Sequence, residues 1–357
     1  MKLLHIVRRY GPVGGMESYV WQLTQELALM GHDVTVLCER QEHEPPASVK
    51  VYALGEIAPK PRWLSHIRFS HRVSRWVRQH PASKRIIHSH ERTSVHHVTT
   101  FHGPPFAHVL EKPWWKRASL RVRVNLWLEK REVCDKHVQA VIPNSTVIAK
   151  SLDRFYPCIG QRLKAPITPG VVEGPKRPDR AVPEDGGVIG FIGKEWQRKG
   201  LDLAIRIVGE LRRKRPDLTF LVAGPAPEDV QHLFADWDGG YQLLGETDTS
   251  VLYPQLDLLL HPARHEPYGM VVAEALAASV PVLISDHCGV KEDVPDHTVL
   301  ELDSDILLWA QRCEALIGTQ PEPFHRLWKD TAEEQLHCYR KLSAKPEKAR
   351  DDEGSAT

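Results

Sequence analysis

The sequence predicts an α/β protein made of two doubly wound Rossmann-like domains. Three observations predict it. Short apolar runs of strand length alternate with amphipathic helical stretches through most of the chain. The alternation stops in a Pro- and charge-rich stretch, GPKRPDRAVPEDGG (174–187), and then starts again. A length of 357 residues suffices for two domains, each with its own core.

The elements follow in order. LLHIV (3–7), a helix from Glu17 to Met30 and DVTVLC (33–38) make a strand–helix–strand unit. RIIHSH (85–90), HVTTFH (97–102) and AVIPNS (140–145) read as further strands. After the break, GVIGFIG (187–193) is a strand, LDLAIRIVGELRRK (201–214) a helix and LTFLVAG (218–224) a strand. YQLLG (241–245), LDLLLHP (256–262) and VPVLIS (280–285) complete the second set, with a helix opening near Met270 before the last. The expected domains are 1–172 and 173–320. The last helical segment, PEPFHRLWKDTAEEQLHCYRKL (321–342), is expected to pack back on the first domain, and the polar tail 343–357 to be disordered.

Composition sets limits. Hydrophobic content of 41% and charged content of 26% are ordinary for a soluble globular protein. Cys38, Cys134, Cys158, Cys288, Cys313 and Cys338 show no CxxC or CxxH spacing. That predicts reduced thiols in a cytoplasmic protein, neither a disulfide frame nor a zinc site. The opening MKLLHIVRRYGP is too short for a signal or membrane helix, and no stretch reaches the length that spans a bilayer. Residues 1–170 hold 26 Lys and Arg against 13 Asp and Glu, whereas the remainder holds 21 against 33. The basic half points to an anionic partner, against the plainer alternative of unevenly charged solvated surface.

Three motifs sit where strands run into helices. In RRYGPVGGMES (8–18), Gly14 and Gly15 precede a helix start, which lets backbone amides approach an anion; such turns also occur with no ligand. In GFIGKEWQRKGLD (190–202), Lys194, Arg198 and Lys199 cluster after a strand, a placement that suits a diphosphate or else a solvated basic loop. In HEPYGMVVAE (265–274), Glu266 and Glu274 stand eight residues apart. On one helix they would be about 12 Å apart along the axis, too far for a catalytic pair. Pro267 and Gly269 instead place Glu266 on a loop and Glu274 one turn into the next helix. The free amides of that helix start, around Tyr268 to Val271, lie between them.

With these motifs the chain resembles the large retaining glycosyltransferase family called group 1 (family 4), which has the two-domain GT-B fold. The resemblance covers most of residues 1–300. Its most specific part is the E-x7-E signature, Glu266 to Glu274, in a context ending PVLIS. Gly14–Gly15, the RKG at 198–200 and strands ending in VAG (222–224) and LLG (243–245) occur in the expected order. The RKG loop and DLLLHPARHE are similar to the lipopolysaccharide inner-core glucosyltransferases of Gram-negative bacteria.

The resemblance implies a nucleotide-sugar donor held by the second domain, as a substrate with no cofactor. Glu274 would bind the ribose hydroxyls and Glu266 would lie near the donor sugar. Lys199 and Arg198 would neutralise the diphosphate. Tyr268, Gly269, Met270 and Val271 would offer amides to sugar and phosphate, and Gly245 and Glu246 would lie by the base. Gly15 would complete the phosphate cradle, and His102, in TFHG, would sit near the donor sugar's hydroxymethyl end. Many members carry Arg where this chain has Lys194, so Lys194 or Arg198 takes that role. Ser279 stands where glycine is usual. The family implies retention, by attack on the face the leaving group departs from, with no metal; a two-carboxylate glycosidase route needs a closer pair.

On the acceptor side, His88, His90, His96 and His97 read as polar lining of the cleft rather than as a metal site. The segment EKPWWKRASLRVRVNLWLEKR (111–131) holds seven basic residues, two acidic ones and three tryptophans. Such a helix suits an anionic membrane surface, a phosphorylated glycolipid, or packing on its own domain. No nucleic-acid module is recognisable. The expectation is a peripheral enzyme on the cytoplasmic face of the inner membrane, moving a hexose (UDP-glucose favoured) to a lipopolysaccharide-core or similar lipid-linked acceptor. The alternatives are an exopolysaccharide transferase and a non-catalytic nucleotide-sugar binder.

Overall fold

Parallel strands covered by helices on both faces read as continuous apolar runs, and the core strands here do so. The computed structural model describes residues 1–344, so the expected disorder of the tail falls, from residue 345 on, outside the described residues. Strands β1 (Lys2–Tyr10), β2 (Asp33–Gln41), β3 (Val49–Ala53), β4 (Arg85–Ser89), β5 (Val98–Phe101) and β6 (Ala140–Pro143) form one sheet in the order β3-β2-β1-β4-β5-β6. Strands β7 (Val188–Ile192), β8 (Thr219–Ala223), β9 (Tyr241–Gly245), β10 (Leu258–His261), β11 (Val282–Ser285) and β12 (Val299–Leu300) form the other, ordered β12-β11-β10-β7-β8-β9. Every pairing is parallel. The strand order reverses between β1 and β4 and between β7 and β10, and such switch points are where open α/β sheets seat ligands.

Helices α1 (Gly15–Leu29), α2 (Arg62–Gln79), α3 (Trp114–Arg117), α4 (Leu120–Cys134) and α5 (Thr146–Phe155) flank the first sheet. Helices α6 (Trp196–Lys199), α7 (Leu201–Arg212), α8 (Pro227–Val230), α9 (Met270–Ala277) and α10 (Ile306–Leu316) flank the second. The final helix, α11 (Trp328–Ser343), returns to the first domain. There Trp328, Ala332, Leu336 and Tyr339 share a core with Leu3, Val7, Tyr19 and Leu23. Where the chain crosses back, Val171 N donates to Arg326 O at 3.0 Å, and Arg326 Nε and Thr331 Oγ1 both donate to Thr168 O at 2.9 Å.

Several elements differ from expectation. β3 escapes the sequence because VKVYA is an edge strand with one well-buried residue. α2 escapes because its packed face mixes Ser65, His66 and Ser70 with Phe69 and Val73, which blurs the apolar period. The basic segment 111–131 is two helices: the chain turns at Ala118, and Ser119 caps α4 by accepting from Val122 N. The last helix begins at Trp328, later than 321, because Pro321 and Pro323 precede it and the Asp330 carboxylate accepts from Leu327 N at 2.7 Å.

The expectation that all cysteines are reduced is corrected for one pair. Cys134 at the end of α4 and Cys158 in the turn after α5 form a disulfide, with Cα atoms 5.8 Å apart. Their separation of 24 residues matches no local motif, so only the packing of α4 against that turn brings them together. Cys38, Cys288 and Cys313 are free and buried, and Cys338 is half-buried. The stretch 174–187, where the alternation of strands and helices breaks, is pinned to the second domain. Asp257 accepts from Arg177 and Arg180, each at 2.9 Å, and from Val188 N at 2.9 Å.

Candidate functional site

At the β7–β10 switch point, two loops converge on Glu266. Gly193 follows β7 with a φ of 150°, open to glycine alone, and a side chain there would collide with Lys199. The Lys199 side chain therefore lies across the bare backbone. Gly200 ends α6 in the left-handed region (φ 79°) and abuts the Pro262 carbonyl of the loop after β10. The RKG spacing is thus set by the close approach of the two loops.

Glu266 is 8% exposed and its Oε2 gathers three partners. Lys199 Nζ lies at 3.3 Å, Arg198 Nη1 at 3.3 Å and His261 Nε2 at 3.4 Å. Burial alone would raise this carboxyl, but Lys199, His261 and Arg198 outweigh it and hold Glu266 well below the usual carboxylate range. Arg198 Nη1 also donates to His265 O at 2.6 Å, and Arg198 Nη2 to Glu195 at 2.7 Å. One carboxylate thus orients two cations, leaving the trio with a net positive charge for an anion.

Glu274 stands one turn into α9, half-buried, and Tyr253 Oη donates to its Oε2 at 2.6 Å. Burial raises the Glu274 carboxyl, partly offset by that hydrogen bond. Between the two glutamates, the amides of Tyr268, Gly269, Met270 and Val271 have no acceptor among the described residues. They point to the free donor end of the helix dipole. The Tyr268 side chain takes no part in that surface: it is buried and bonded to Asp293 at 3.1 Å. Met270 packs against the cores of both domains.

Lys194 stands apart from this cluster. It pairs with Glu246 at 2.7 Å, both exposed, bridging the loop after β7 to the end of β9 at Gly245. Exposed pairs of this kind are weak, about 0–1 kcal/mol, so both groups are free to exchange partners. Opposite, Gly14 and Gly15 open α1, and the position a Gly15 side chain would occupy is open space. The space beside Gly14 is taken by Glu17, itself paired with Arg9 at 3.1 Å.

His102 ends a buried histidine chain. Its Nε2 is hydrogen-bonded to His90 Nδ1 at 2.9 Å, and His90 Nε2 to His5 Nδ1 at 3.2 Å. His88 bonds Thr100 at 2.8 Å and Tyr339 of α11 at 2.5 Å. The expectation that His88, His90, His96 and His97 line the cleft is corrected. The first three are buried, and His97 is half-buried with its Nδ1 accepting from Ile87 N, because all lie on or beside β4 and β5 under helices. The nitrogens of His5, His88 and His90 lie within 4.8 Å of one another, but most of them are already engaged in the hydrogen bonds just described.

This chain of imidazoles sets a pH dependence. Burial holds His5 and His102 down at about 3 and His96 at about 4. The unfolded chain binds those protons below the ordinary histidine value of about 6.5, so stability present above it is lost as pH falls. Each imidazole contributes about 1.4 kcal/mol per pH unit over that range. Glu91, raised by burial to about 7, and Glu132, raised by burial to about 8, act in the opposite sense but are fewer. Thermal melts should therefore fall steeply from pH 6.5 to 5; a flat or rising profile would contradict buried neutral histidines.

Sequence reasoning passed over two residues here. Tyr253 sits in a proline-bearing turn with no distinguishing pattern. His261 had a signal: one polar residue closing an apolar strand, LLLHP, at its carboxyl end.

Comparison with known proteins covers both domains. A family model described as Glycosyltransferase Family 4 matches residues 13–165, and one described as Glycosyl transferases group 1 matches residues 186–318. The chain is 24% identical to the lipopolysaccharide glucosyltransferase WaaG of Escherichia coli (strain K12), over 96% of each chain. It is 22% identical to a D-inositol 3-phosphate glycosyltransferase of Corynebacterium urealyticum, over 94% of this chain and 93% of that one. A crystal structure of WaaG, described as involved in lipopolysaccharide biosynthesis, matches with a TM-score of 0.73 at 19% identity, covering 96% of this chain and 98% of that one. Anabaena HepE in complex with UDP-glucose matches with a TM-score of 0.68 at 15% identity, covering 96% and 100%. These structural likenesses show a shared fold, two Rossmann-like domains in the GT-B arrangement.

Proposed function

Since the chain belongs to the group 1 (family 4) glycosyltransferases, we propose that it transfers a hexose, with retention, from UDP-glucose to a lipopolysaccharide-core or similar anionic glycolipid. The observation that carries the reading is the pairing of Lys199 and Arg198 on Glu266 beside the four free amides that open α9. Departure of a nucleoside diphosphate builds negative charge on the β-phosphate, and preorganised cations and amides stabilise it most in the transition state. Lys199 and Arg198 supply the countercharge a divalent ion supplies elsewhere. Glu274 and Tyr253 hold the ribose, Glu266 stays ionised beside the sugar, and a phosphate oxygen takes the acceptor proton on the face the leaving group departs from. His102 reaches the sugar from the first domain, with Gly14 and Gly15 beside the phosphates. Gly245, Glu246 and Lys194 border the base.

A donor of this class is supported by HepE, solved with UDP-glucose, and the acceptor by the likeness to WaaG. The glycolipid reading gains further support from α3 and α4. Trp114, Trp115, Leu120 and Trp127 are 69%, 61%, 65% and 52% exposed among Lys116, Arg117 and Arg123. No helix among the described residues is long and apolar enough to cross a membrane, so contact would be at the surface.

The test is transfer of labelled glucose from UDP-α-glucose to purified core glycolipid, with the product's anomeric configuration read by NMR. An α-linked product is expected; a β-linked one would overturn retention, and no product would overturn this donor–acceptor pair. In a parallel sedimentation assay the protein should follow phosphatidylglycerol vesicles at low salt, and Trp114→Ala/Trp115→Ala should stay in the supernatant. If the wild type stays there too, the membrane contact is wrong.

A further inference from the structure

Beside the donor clamp lies a second cavity, of about 640 Å³, that the reading above leaves unused. First-domain residues Phe106, His108, Lys112, Lys116 and Arg121 line it on one side, and His265 of the second domain lines it on the other. Lys112, Lys116 and Arg121 have no carboxylate within 4.0 Å among the described residues. Three like charges gathered at one pocket repel one another and favour an anion placed between them.

Two further observations point to a ligand. His108 Nε2 and His265 Nε2 are both closed off from solvent and both lack a hydrogen-bond partner. The rings approach with centroids 6.4 Å apart. An unpartnered buried polar atom is unfavourable, and a ligand that turns these rings toward the cavity relieves that cost. Placement then narrows the role. The carbonyl of His265 accepts from Arg198, and Glu266 is the next residue, so the cavity shares a wall with the donor clamp.

We propose that this cavity is the acceptor's phosphate subsite, holding a phosphomonoester on the accepting sugar while Phe106 supports the sugar ring. This rests on the glycosyltransferase reading above. A phosphomonoester offers close to two negative charges and three acceptor oxygens on one compact group, which matches three cations and two imidazole nitrogens better than a single carboxylate does. His265 brings the second domain to one wall of the pocket, so an acceptor lacking the phosphate loses contacts to both domains.

The probe is glucose 6-phosphate, added to the full chain saturated with UDP so that the donor site is already filled. Histidine ring resonances are followed by NMR, with His108→Gln and His265→Gln identifying the two signals. Both signals should shift saturably with glucose 6-phosphate and stay still with glucose. Lys116→Ala/Arg121→Ala should weaken the binding by about tenfold or more, the loss of charge-assisted contacts. If UDP binds but the two signals ignore glucose 6-phosphate, or follow glucose equally, the subsite is refuted while the donor reading stands. Movement only with phosphatidylglycerol vesicles would assign the cavity to a lipid headgroup and overturn the acceptor phosphate. Failure of UDP to bind would remove the donor reading and this proposal with it.

Discussion

Lys199→Ala is expected to lower the turnover of sugar transfer by about 10²–10³-fold, the loss typical of one preorganised donor aimed at developing charge. Lys199 is held by Glu266 at 3.3 Å, over a backbone that Gly193 leaves bare, so its ammonium is fixed before the donor arrives. Charge on the β-phosphate grows as the glycosidic bond breaks, so kcat falls, and the lost contact to the ground-state diphosphate weakens donor binding as well. Arg198 remains in the variant and limits the loss. Lys199→Arg keeps the charge but changes its reach, and should recover part of the rate. Initial rates over a range of donor concentrations make the check. A Lys199→Ala enzyme within twofold of the wild type would remove Lys199 from the diphosphate site.

Asp257→Ala is expected to destabilise the second domain by about 3–5 kcal/mol, the usual result of stranding a buried charge. Arg177 is 3% exposed and donates twice to Asp257 Oδ1, at 2.9 and 3.2 Å; Arg180 and Val188 N use the same carboxylate. No other acidic side chain among the described residues pairs with either arginine, so alanine leaves a guanidinium buried and unpaired. The pair sits just before β10, at the amino ends of the central strands and opposite the carboxyl ends that carry the donor clamp. Activity per folded molecule at low temperature should therefore hold while the melt of the second domain drops. A urea-unfolding free energy lowered by less than about 1 kcal/mol would mean that the stretch 174–187 is not anchored there.

What an element buries decides whether its sequence declares it. Interior parallel strands such as VIGFI and LLLH need apolar residues on both faces, so their composition declares them. β3 and α2 bury one face or a mixed face, and their patterns resemble solvated chain. The Cys134–Cys158 pairing and the histidine chain from His102 to His5 are products of tertiary packing across 24 and 97 residues, which no local window contains.

Within the candidate site the same division holds. The Glu266–Glu274 spacing and the RKG turn are local backbone requirements, a loop that must break and a helix that must begin, and they are visible as Pro, Gly and charge. Tyr253 reaches Glu274 from a separate turn, and the Lys194–Glu246 pair bridges two strand ends. Both depend on the strand order β10-β7-β8-β9, which the sequence implies only through its family likeness.

The central claim is that the β7–β10 switch point binds a nucleoside diphosphate sugar through Lys199, Arg198, Glu266 and the start of α9. The most direct measurement is a thermal-shift panel of UDP-, GDP- and ADP-sugars on the wild type, Lys199→Ala and Glu274→Ala. At a hundred times its Kd, a bound donor stabilises the folded chain by about 2.7 kcal/mol. UDP-glucose should raise the wild-type melting temperature and leave both variants nearly unmoved. A panel in which no donor shifts the wild type, or in which the variants shift as far as the wild type, would contradict the claim.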